Sequence, residues 1–200
     1  MKYIILFSLF LIQTSCMSIL GYRQDKTLSD KKIVKLAKRF NVPLNQLYKI
    51  DPKMFTTLIK SKELTEKDRQ NMEQPIQVLI FDSEDKNVTN LIDCNIGGFP
   101  ILKWNVFKGM DSIPIRQGFF RTTPEFFSKA ELDILIIPLF DPNSAQHIKN
   151  PRYYYYILWS RVLFRNSKKF IKIIKNHAKL AKAMNIPIDI KYIFSDSMYD

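Results

Sequence analysis

The sequence is poor in glycine, histidine and cysteine, the residues on which phosphate, metal and thiol sites are commonly built. Its 200 residues include five glycines, two histidines and two cysteines. So few glycines nearly exclude a glycine-rich phosphate loop, and neither an HExxH nor a GxSxG motif occurs. His147 and His177 are not spaced as a metal-binding pair, and the absence of CxxC excludes a thioredoxin-type redox motif. We therefore predict no cofactor and no metal site.

Basic residues clearly outnumber acidic ones. There are 31 lysines and arginines against 19 aspartates and glutamates, a net charge of +12, and 46% of the residues are hydrophobic. That apolar content suffices for one domain with a real core, alone or with a small helical preface. The positive excess favours an anionic membrane, an acidic glycan or nucleic acid as partner, and it carries no information about the fold.

The start of the chain predicts export. A positive first pair is followed by an apolar run at residues 3–12, too short to span a bilayer comfortably, and then by Ser15 and Cys16. This pattern resembles a bacterial lipoprotein signal, in which a small residue precedes a cysteine that is diacylated and becomes the new N-terminus. Gln13 departs from the pattern, because an aliphatic residue is usual there. The alternatives are an ordinary cleaved signal peptide and an uncleaved anchor.

The predicted processing sets the domain organisation and the location. The expected location is the bacterial cell envelope, anchored to the membrane and facing the periplasm, so we expect no nucleic acid partner. With lipid on Cys16, Cys94 has no disulfide partner within the chain. The predicted segments are a signal peptide at 1–15, a tether at 16–28, a helical preface at 29–74 and an α/β domain at 75–200.

Apolar periodicity predicts that the preface at 29–74 is helical. Segment 36–48 resembles both a helix-turn-helix and the helical pair of a LysM glycan-binding repeat, but export puts it in the wrong compartment for DNA. We interpret it as two amphipathic helices that pack on the main domain. The predicted helices cover 29–40, with Ser29 as N-cap, 44–50 and 54–60, and the charged segment 63–74 is read as helical or as a connector.

The main domain is predicted to contain a hairpin followed by a parallel βαβ unit. Apolar strands at 76–82 and 88–95 flank the turn residues 83–86, which indicates a β-hairpin. A near-continuous apolar run at 134–140 and a β-branched, aromatic run at 186–194 predict two buried parallel strands. We therefore predict an α/β fold with a mixed sheet, an N-terminal helical preface, and a layout compatible with a thioredoxin-like fold.

The helix of this βαβ unit is predicted over 167–184. His177 lies mid-face, without a partner motif, and is expected to be a packed, hydrogen-bonded core or boundary residue. The opposite stripe is read as a solvated helix face, with a surface for anionic lipid as the functional alternative. The apolar stripe is Phe170, Ile173, Ile174, His177, Leu180, Ala181 and Met184, and the basic stripe is Lys168, Lys172, Lys175, Lys179 and Lys182.

Two aromatic segments carry candidate functional residues. Segment 93–105 holds Cys94, two adjacent glycines and Trp104, and is read either as a pocket lip with a thiol or as a tight turn. Segment 151–159 holds four consecutive tyrosines and Trp159, and Pro151 at a first helical position predicts a helix there. A short helix is also predicted over 124–130. The predicted binding surface comprises Trp104, Trp159, Arg161, Lys168, Lys172, Lys175 and Lys179.

Three segments together resemble a family of uncharacterised envelope proteins from Bacteroidota. They are DCNIGGFPILKWN at 93–105, LWSRVLFRNSKK at 158–169 and NHAKLAK at 176–182. The family pattern resembles N-C-x-x-G-G-F-P-N-L-K-W-N and H-W-S-[KR]-x-x-x-R-x-S-[KR], and Asp93 and Leu158 depart from it. The resemblance covers most of the mature chain, implies a redoxin-like layout without its cysteine pair, and carries no activity.

Two functions of different class are consistent with these observations. The favoured one is a lipid-anchored envelope protein with a non-catalytic binding or structural role, whose partners are the membrane and an anionic lipid or envelope component. The ligand class is left open. The alternative is a thiol-dependent, redoxin-like enzyme that uses Cys94, with Trp104 and Arg161 nearby. A reactive Cys94 thiol would favour the enzyme, and an inert, buried one would exclude it.

Overall fold

The computed structural model describes residues 28–92, 111–115, 127–141 and 148–199. Within these residues the chain forms five α-helices, six β-strands and two 3₁₀ turns, Leu44–Gln46 and Asp196–Tyr199. The helices are α1 (Asp30–Arg39), α2 (Pro52–Ser61), α3 (Glu66–Met72), α4 (Lys129–Leu135) and α5 (Phe164–Ala183). The strands are β1 (Leu47–Ile50), β2 (Gln77–Asp82), β3 (Asn87–Ile92), β4 (Ile136–Pro138), β5 (Tyr153–Trp159) and β6 (Ile188–Phe194).

The strands form one mixed sheet in the order β3-β2-β5-β6-β1-β4. Neighbours β5–β6 and β6–β1 are parallel, whereas β2–β3, β2–β5 and β1–β4 are antiparallel. The hairpin predicted at 76–95 is β2–β3, and a parallel βαβ unit is also present, formed by β5, α5 and β6. The prediction of an α/β fold with a mixed sheet is therefore confirmed.

The first strand of the βαβ unit is not the predicted one. Residues up to Leu135 continue helix α4, and only Ile136–Pro138 form a strand, at the sheet edge and antiparallel to β1. A capping box starts this helix, because Ser128 accepts from the Glu131 backbone while the Glu131 side chain accepts from the Ser128 backbone. The apolar run at 134–140 is thus split between a helix end and an exposed edge, and Ile137 is 37% exposed. Part of the helix predicted over 124–130 lies outside the described residues, and within them the helix begins at Lys129.

The segment predicted as a helix at 151–159 is instead the central strand β5. Alternate residues point to opposite faces, so Tyr155 and Tyr156 are both fully buried on different sides of the sheet. Because helices cover both faces of the sheet, a central strand is buried on both sides, and its sequence does not alternate between apolar and polar residues. Its aromatic content is what a strand favours. Pro151 precedes this strand and does not start a helix.

The predicted preface is part of the same sheet. Helices α1, α2 and α3 confirm three of its predicted helices. The helix predicted over 44–50 is wrong, because Leu44–Gln46 form a single 3₁₀ turn and Leu47–Ile50 form β1, which pairs with β6. Leu47, which follows the turn, has an extended backbone with φ −95° and ψ 125°, so the helical run ends after three residues.

Helices cover both faces of the sheet and give a three-layer arrangement. We call the side covered by α1 and α5 the front face and the side covered by α2, α3 and α4 the back face. The front core joins Ile33 and Ile174 to Ile157 and Tyr192. The back core joins Phe55, Met72 and Leu132 to alternate residues of the same strands. None of the described helices is both long and apolar enough to cross a membrane.

Helix α5 has the predicted register. The stripe residues Phe170, Ile174, His177 and Ala181 are buried, and Ile171 is buried beside them. Met184 departs from the prediction, because the helix ends at Ala183 and the Met184 side chain is 51% exposed. The lysines Lys168, Lys172, Lys179 and Lys182 are exposed, and Lys175 is half-buried.

Candidate functional site

Three of the predicted functional residues lie outside the described part of the chain. They are Cys16, Cys94 and Trp104. Lipidation at Cys16 and thiol chemistry at Cys94 therefore stay predictions.

Trp159 is not on a surface. It is fully buried in the front core, with its ring centroid 5.3 Å from that of Phe40 and 5.1 Å from that of Phe194. It is the last residue of β5, where its large apolar area closes the end of the core between α1 and the sheet. The predicted role of Trp159 in a binding surface is therefore wrong.

Arg161 belongs to a polar cluster at the carboxyl ends of β5 and β6. Asp196, which is 2% exposed, accepts from the Ser160 hydroxyl at 2.5 Å and from the Arg161 backbone N–H at 3.0 Å. The Arg161 Nε lies 3.5 Å from the other carboxylate oxygen. Carboxyl ends of parallel strands often hold ligand sites. Here the Ser160 hydroxyl donates its hydrogen bond to a carboxylate and not to a histidine. The cluster therefore connects the β5–α5 turn to the segment after β6.

The second polar cluster lies on the back face. Its centre is Asp133, whose carboxylate accepts from the Tyr156 hydroxyl at 2.7 Å and from the Lys191 ammonium. Lys129 lies 3.5 Å from the same carboxylate and 3.3 Å from Asp85. Tyr156 and Lys191 are opposite each other on β5 and β6, so the sheet register itself brings the phenol and the ammonium together.

The protonation states of this back-face cluster favour a structural role. Burial raises the pKa of Tyr156, and its bond to Asp133 raises it further. Burial would also raise the pKa of Asp133, but hydrogen bonds from Lys191 and Tyr156 outweigh it and hold that pKa below the ordinary value. Burial raises the pKa of Tyr48 beside them to about 12. The phenols are therefore proton donors at neutral pH and are poorly suited to act as bases.

His177 is a core residue, as its position on the helix predicts. Its side chain is 3% exposed, and its Nε2 lies 3.0 Å from the hydroxyl oxygen of Tyr155. Burial raises the pKa of Tyr155, so the phenol stays protonated. The pair satisfies two polar groups inside the front core.

An open groove of about 700 Å³ runs beside the second half of α5 on the front face. Its floor is one side of β6, with Ile188, Ile190 and Tyr192. The end of α5 shapes one side, because Asn185 takes a left-handed conformation with φ 55° and the Ile186 N–H bonds back to the Ala181 carbonyl at 2.9 Å. The remaining lining residues are Pro43, Gln46, Ile148, Lys175, Ala178, Lys179, Lys182, Asn185, Ile186 and Pro187.

Among the described residues, the charged ones that line the groove are all positive. Lys175, Lys179 and Lys182 follow one stripe of α5, at helix spacings of four and three. Within the described residues none of the three forms an ion pair, and the Lys175 ammonium donates to the Asn41 carbonyl at 3.1 Å. Burial raises the pKa of Tyr192, so its phenol adds no negative charge. The groove is therefore an apolar channel with a cationic rim.

The sequence indicated part of this groove. Lys175 and Lys179 belong to the predicted surface, whereas the predicted residues Lys168 and Lys172 do not line the groove. Lys182 belongs to the predicted basic stripe but not to the predicted binding surface. The floor on β6 and the end formed by Pro43 and Gln46 carry no motif, because they meet only through the β1–β6 pairing.

No family model, no curated protein and no solved structure matches the chain. Among the described residues, no group of three or more histidine, cysteine or acidic side chains could hold a metal ion.

Proposed function

We propose that this chain is a lipid-anchored envelope protein with a non-catalytic binding role, and that the groove beside α5 is its ligand site. The observation that carries the proposal is the groove itself, an open channel of about 700 Å³ with a floor of isoleucine and tyrosine. Sites for small ligands usually have about 300–1,000 Å³ and mostly apolar linings with a few polar groups at their rims. The groove has this composition.

The state of the two polar clusters supports binding over catalysis. At the carboxyl ends of β5 and β6, the Ser160 hydroxyl donates to Asp196. On the back face, the carboxylate of Asp133 is bonded to Tyr156 and Lys191. Polar groups that are bonded to one another hold the fold together and leave little capacity for acid–base work.

The groove is tested by photo-crosslinking with a neutral apolar probe. The full chain is placed in phosphatidylcholine vesicles and irradiated with a diazirine-bearing dodecanol, and the labelled peptides are mapped by mass spectrometry. We expect label on the peptide that contains β6, at Ile188 or Ile190. Ala178→Trp fills the groove and should remove this label. Ala183→Trp, at an exposed position of the same helix outside the groove, should leave it.

Label that survives Ala178→Trp, or that never reaches β6, would contradict the binding role of the groove. Anchoring is tested separately by growing cells with a labelled fatty acid. Cys16→Ala should abolish incorporation and leave unprocessed precursor. A wild-type chain that takes up no label would contradict the lipid anchor without affecting the groove.

A further inference from the structure

We infer that the ligand of the groove is a single-chain anionic amphiphile, with its carboxylate beside Lys175 and Lys179 and its hydrocarbon chain along β6. The inference rests on the proposed binding role of the groove and adds the chemical class of the ligand. It unites two features of one cavity, the apolar floor and the cationic rim.

The charge of the rim is the first argument. Some lysines of the described structure lie close to acids: Lys62 is 2.8 Å from Glu131 and Lys49 is 2.7 Å from Asp30. The rim lysines have no such partner among the described residues, and three positive charges lie within two turns of one helix. Like charges at these spacings repel each other, and an anion placed between them relieves that repulsion.

The position of the lysines along α5 locates the head group. Lys182 lies in the last turn, where the negative end of the helix dipole already attracts it. Lys175 and Lys179 lie further from the helix end, one turn apart, and Lys175 is held in place by its bond to the Asn41 carbonyl. These two ammonium groups are therefore best placed to share a carboxylate.

The floor of the groove is the second argument. Ile188, Ile190 and Tyr192 are alternate residues of β6 and line the bottom of the groove. They are only 7%, 5% and 1% exposed, because they pack in the front core. The apolar surface that a ligand meets therefore comes mainly from Ile148, Ile186 and Pro187, and such a surface suits a hydrocarbon chain. A flat bilayer surface would meet the exposed lysine stripe and leave this recessed floor uncovered.

The test compares two photo-probes that differ only in the head group. The full chain in phosphatidylcholine vesicles is titrated with diazirine-bearing dodecanoate and with the corresponding dodecanol, and labelling of the β6 peptide is measured at known free concentrations. We expect half-maximal labelling by the carboxylate at a concentration about tenfold lower than by the alcohol, as two exposed ion pairs would give.

Matched variants separate the groove from the general charge of the helix. Lys179→Glu should weaken carboxylate labelling by about tenfold and leave alcohol labelling within about twofold. Lys172→Glu makes the same charge change on an exposed residue of the same stripe outside the groove, and should alter both by less than about twofold. Lys179→Arg keeps the charge and should retain the carboxylate preference.

The remaining possible results separate a failure of the inference from a failure of the proposed function. Equal losses in Lys179→Glu and Lys172→Glu would overturn the inference, because binding would then follow the overall field of α5. Equal labelling of β6 by acid and alcohol would overturn the anionic class and leave the proposed groove function standing. Competition by phosphatidylglycerol vesicles, without competition by free dodecanoate, would assign the lysines to a membrane surface and also overturn it. If neither probe labels β6, the proposed function fails first.

Discussion

Two groups of lysines on opposite faces of the sheet have different surroundings. On the back face, the Lys191 ammonium is bonded to Asp133 and lies 4.9 Å from the ring centroid of Tyr156, while Lys129 bridges Asp133 and Asp85. On the front face, Lys179 and Lys182 border the groove without an ion pair among the described residues. The chain thus uses one residue type for internal pairing on one side and for an open cationic rim on the other.

Strand β6 separates the groove on the front face from the paired lysines on the back face. Along β6, Ile190 and Tyr192 form the groove floor on the front, and Lys191 between them enters the charge network on the back. Composition alone does not distinguish these lysines. The difference comes from which acids the fold brings to each face, and the back face receives Asp133 from α4. The rim of the groove therefore carries lysines without an ion pair among the described residues, while Lys191 on the other side of the same strand is paired.

The largest expected effect comes from a charge placed inside the front face. Ile174 is fully buried under α5, and Ile174→Asp would put an unpaired carboxylate into an apolar core. The cost of burying such a group exceeds what a domain of this size can lose, so we expect the chain to be unfolded by circular dichroism.

Lys172→Glu is the control, because its exposed side chain should leave the free energy of unfolding within about 0.5 kcal/mol. Similar damage from both substitutions would show that the α5 register, and with it the assignment of the groove wall, is wrong.

A second comparison contrasts the centre of the front face with its edge. Ile157 on β5 is fully buried, so Ile157→Ala should cost about 2–5 kcal/mol in urea unfolding. Ile137 on edge strand β4 is 37% exposed, and Ile137→Ala should cost less than about 1 kcal/mol. The apolar run at 134–140 alone predicted a large cost for Ile137. A cost above about 2 kcal/mol would mean that β4 is covered more deeply than the structure shows.

The sequence predicted the elements that carry a local signal, either a helical period or turn residues. Helix α5 was found because its lysines and its apolar residues alternate with a helical period, and hairpin β2–β3 was found because turn residues separate two apolar runs. Strand β5 was missed because both of its sides are buried and no period remains. Strand β1 was missed because it is four residues long and gains its place only by pairing with the distant β6.

In the candidate site, too, only the residues that belong to a local sequence pattern could be predicted. The rim lysines Lys175 and Lys179 could be predicted because they lie on a periodic helix. The floor and the far end of the groove could not, because Gln46 and Ile190 are brought together by long-range pairing and not by any local motif. Trp159 was misplaced for a related reason. A tryptophan beside four tyrosines suggests a binding surface only if the segment is exposed, and a central strand is not.

A third prediction tests the paired lysines of the back face. Lys191→Met keeps most of the side-chain volume and removes the ammonium from Asp133 and Tyr156. Because the Lys191 side chain is 19% exposed, we expect a loss of about 1–2 kcal/mol in urea unfolding. Lys86→Met is the matched control, since its ion pair with Glu84 is about 70% exposed and should contribute less than about 0.5 kcal/mol. A Lys191 effect as small as that of Lys86 would remove the contrast between the faces.

The smallest expected effect is a pH dependence of the same network. Asp133 faces Lys191, Lys129 and Tyr156, and the lysine bonds keep its pKa in the folded chain below the ordinary 3.8. A carboxyl with a lowered folded pKa stabilises the fold above its unfolded pKa, and this contribution is lost as the pH falls through the folded value. The difference in unfolding free energy between wild type and Asp133→Asn should therefore be constant near neutral pH and shrink below about pH 4.

Glu73 provides the opposite sign for this measurement. Burial raises the pKa of Glu73 above its ordinary value, although Arg69 opposes the shift. An acid of this kind favours the folded state at low pH, and its contribution is lost as the pH rises through the folded pKa. The unfolding free energy of Glu73→Gln relative to wild type should therefore be highest near neutral pH and fall on acidification. Relative to wild type, Asp133→Asn should therefore gain stability on acidification while Glu73→Gln loses it. If both variants changed in the same direction, the pairing of Asp133 with Lys191 would not account for the pH dependence of the back face.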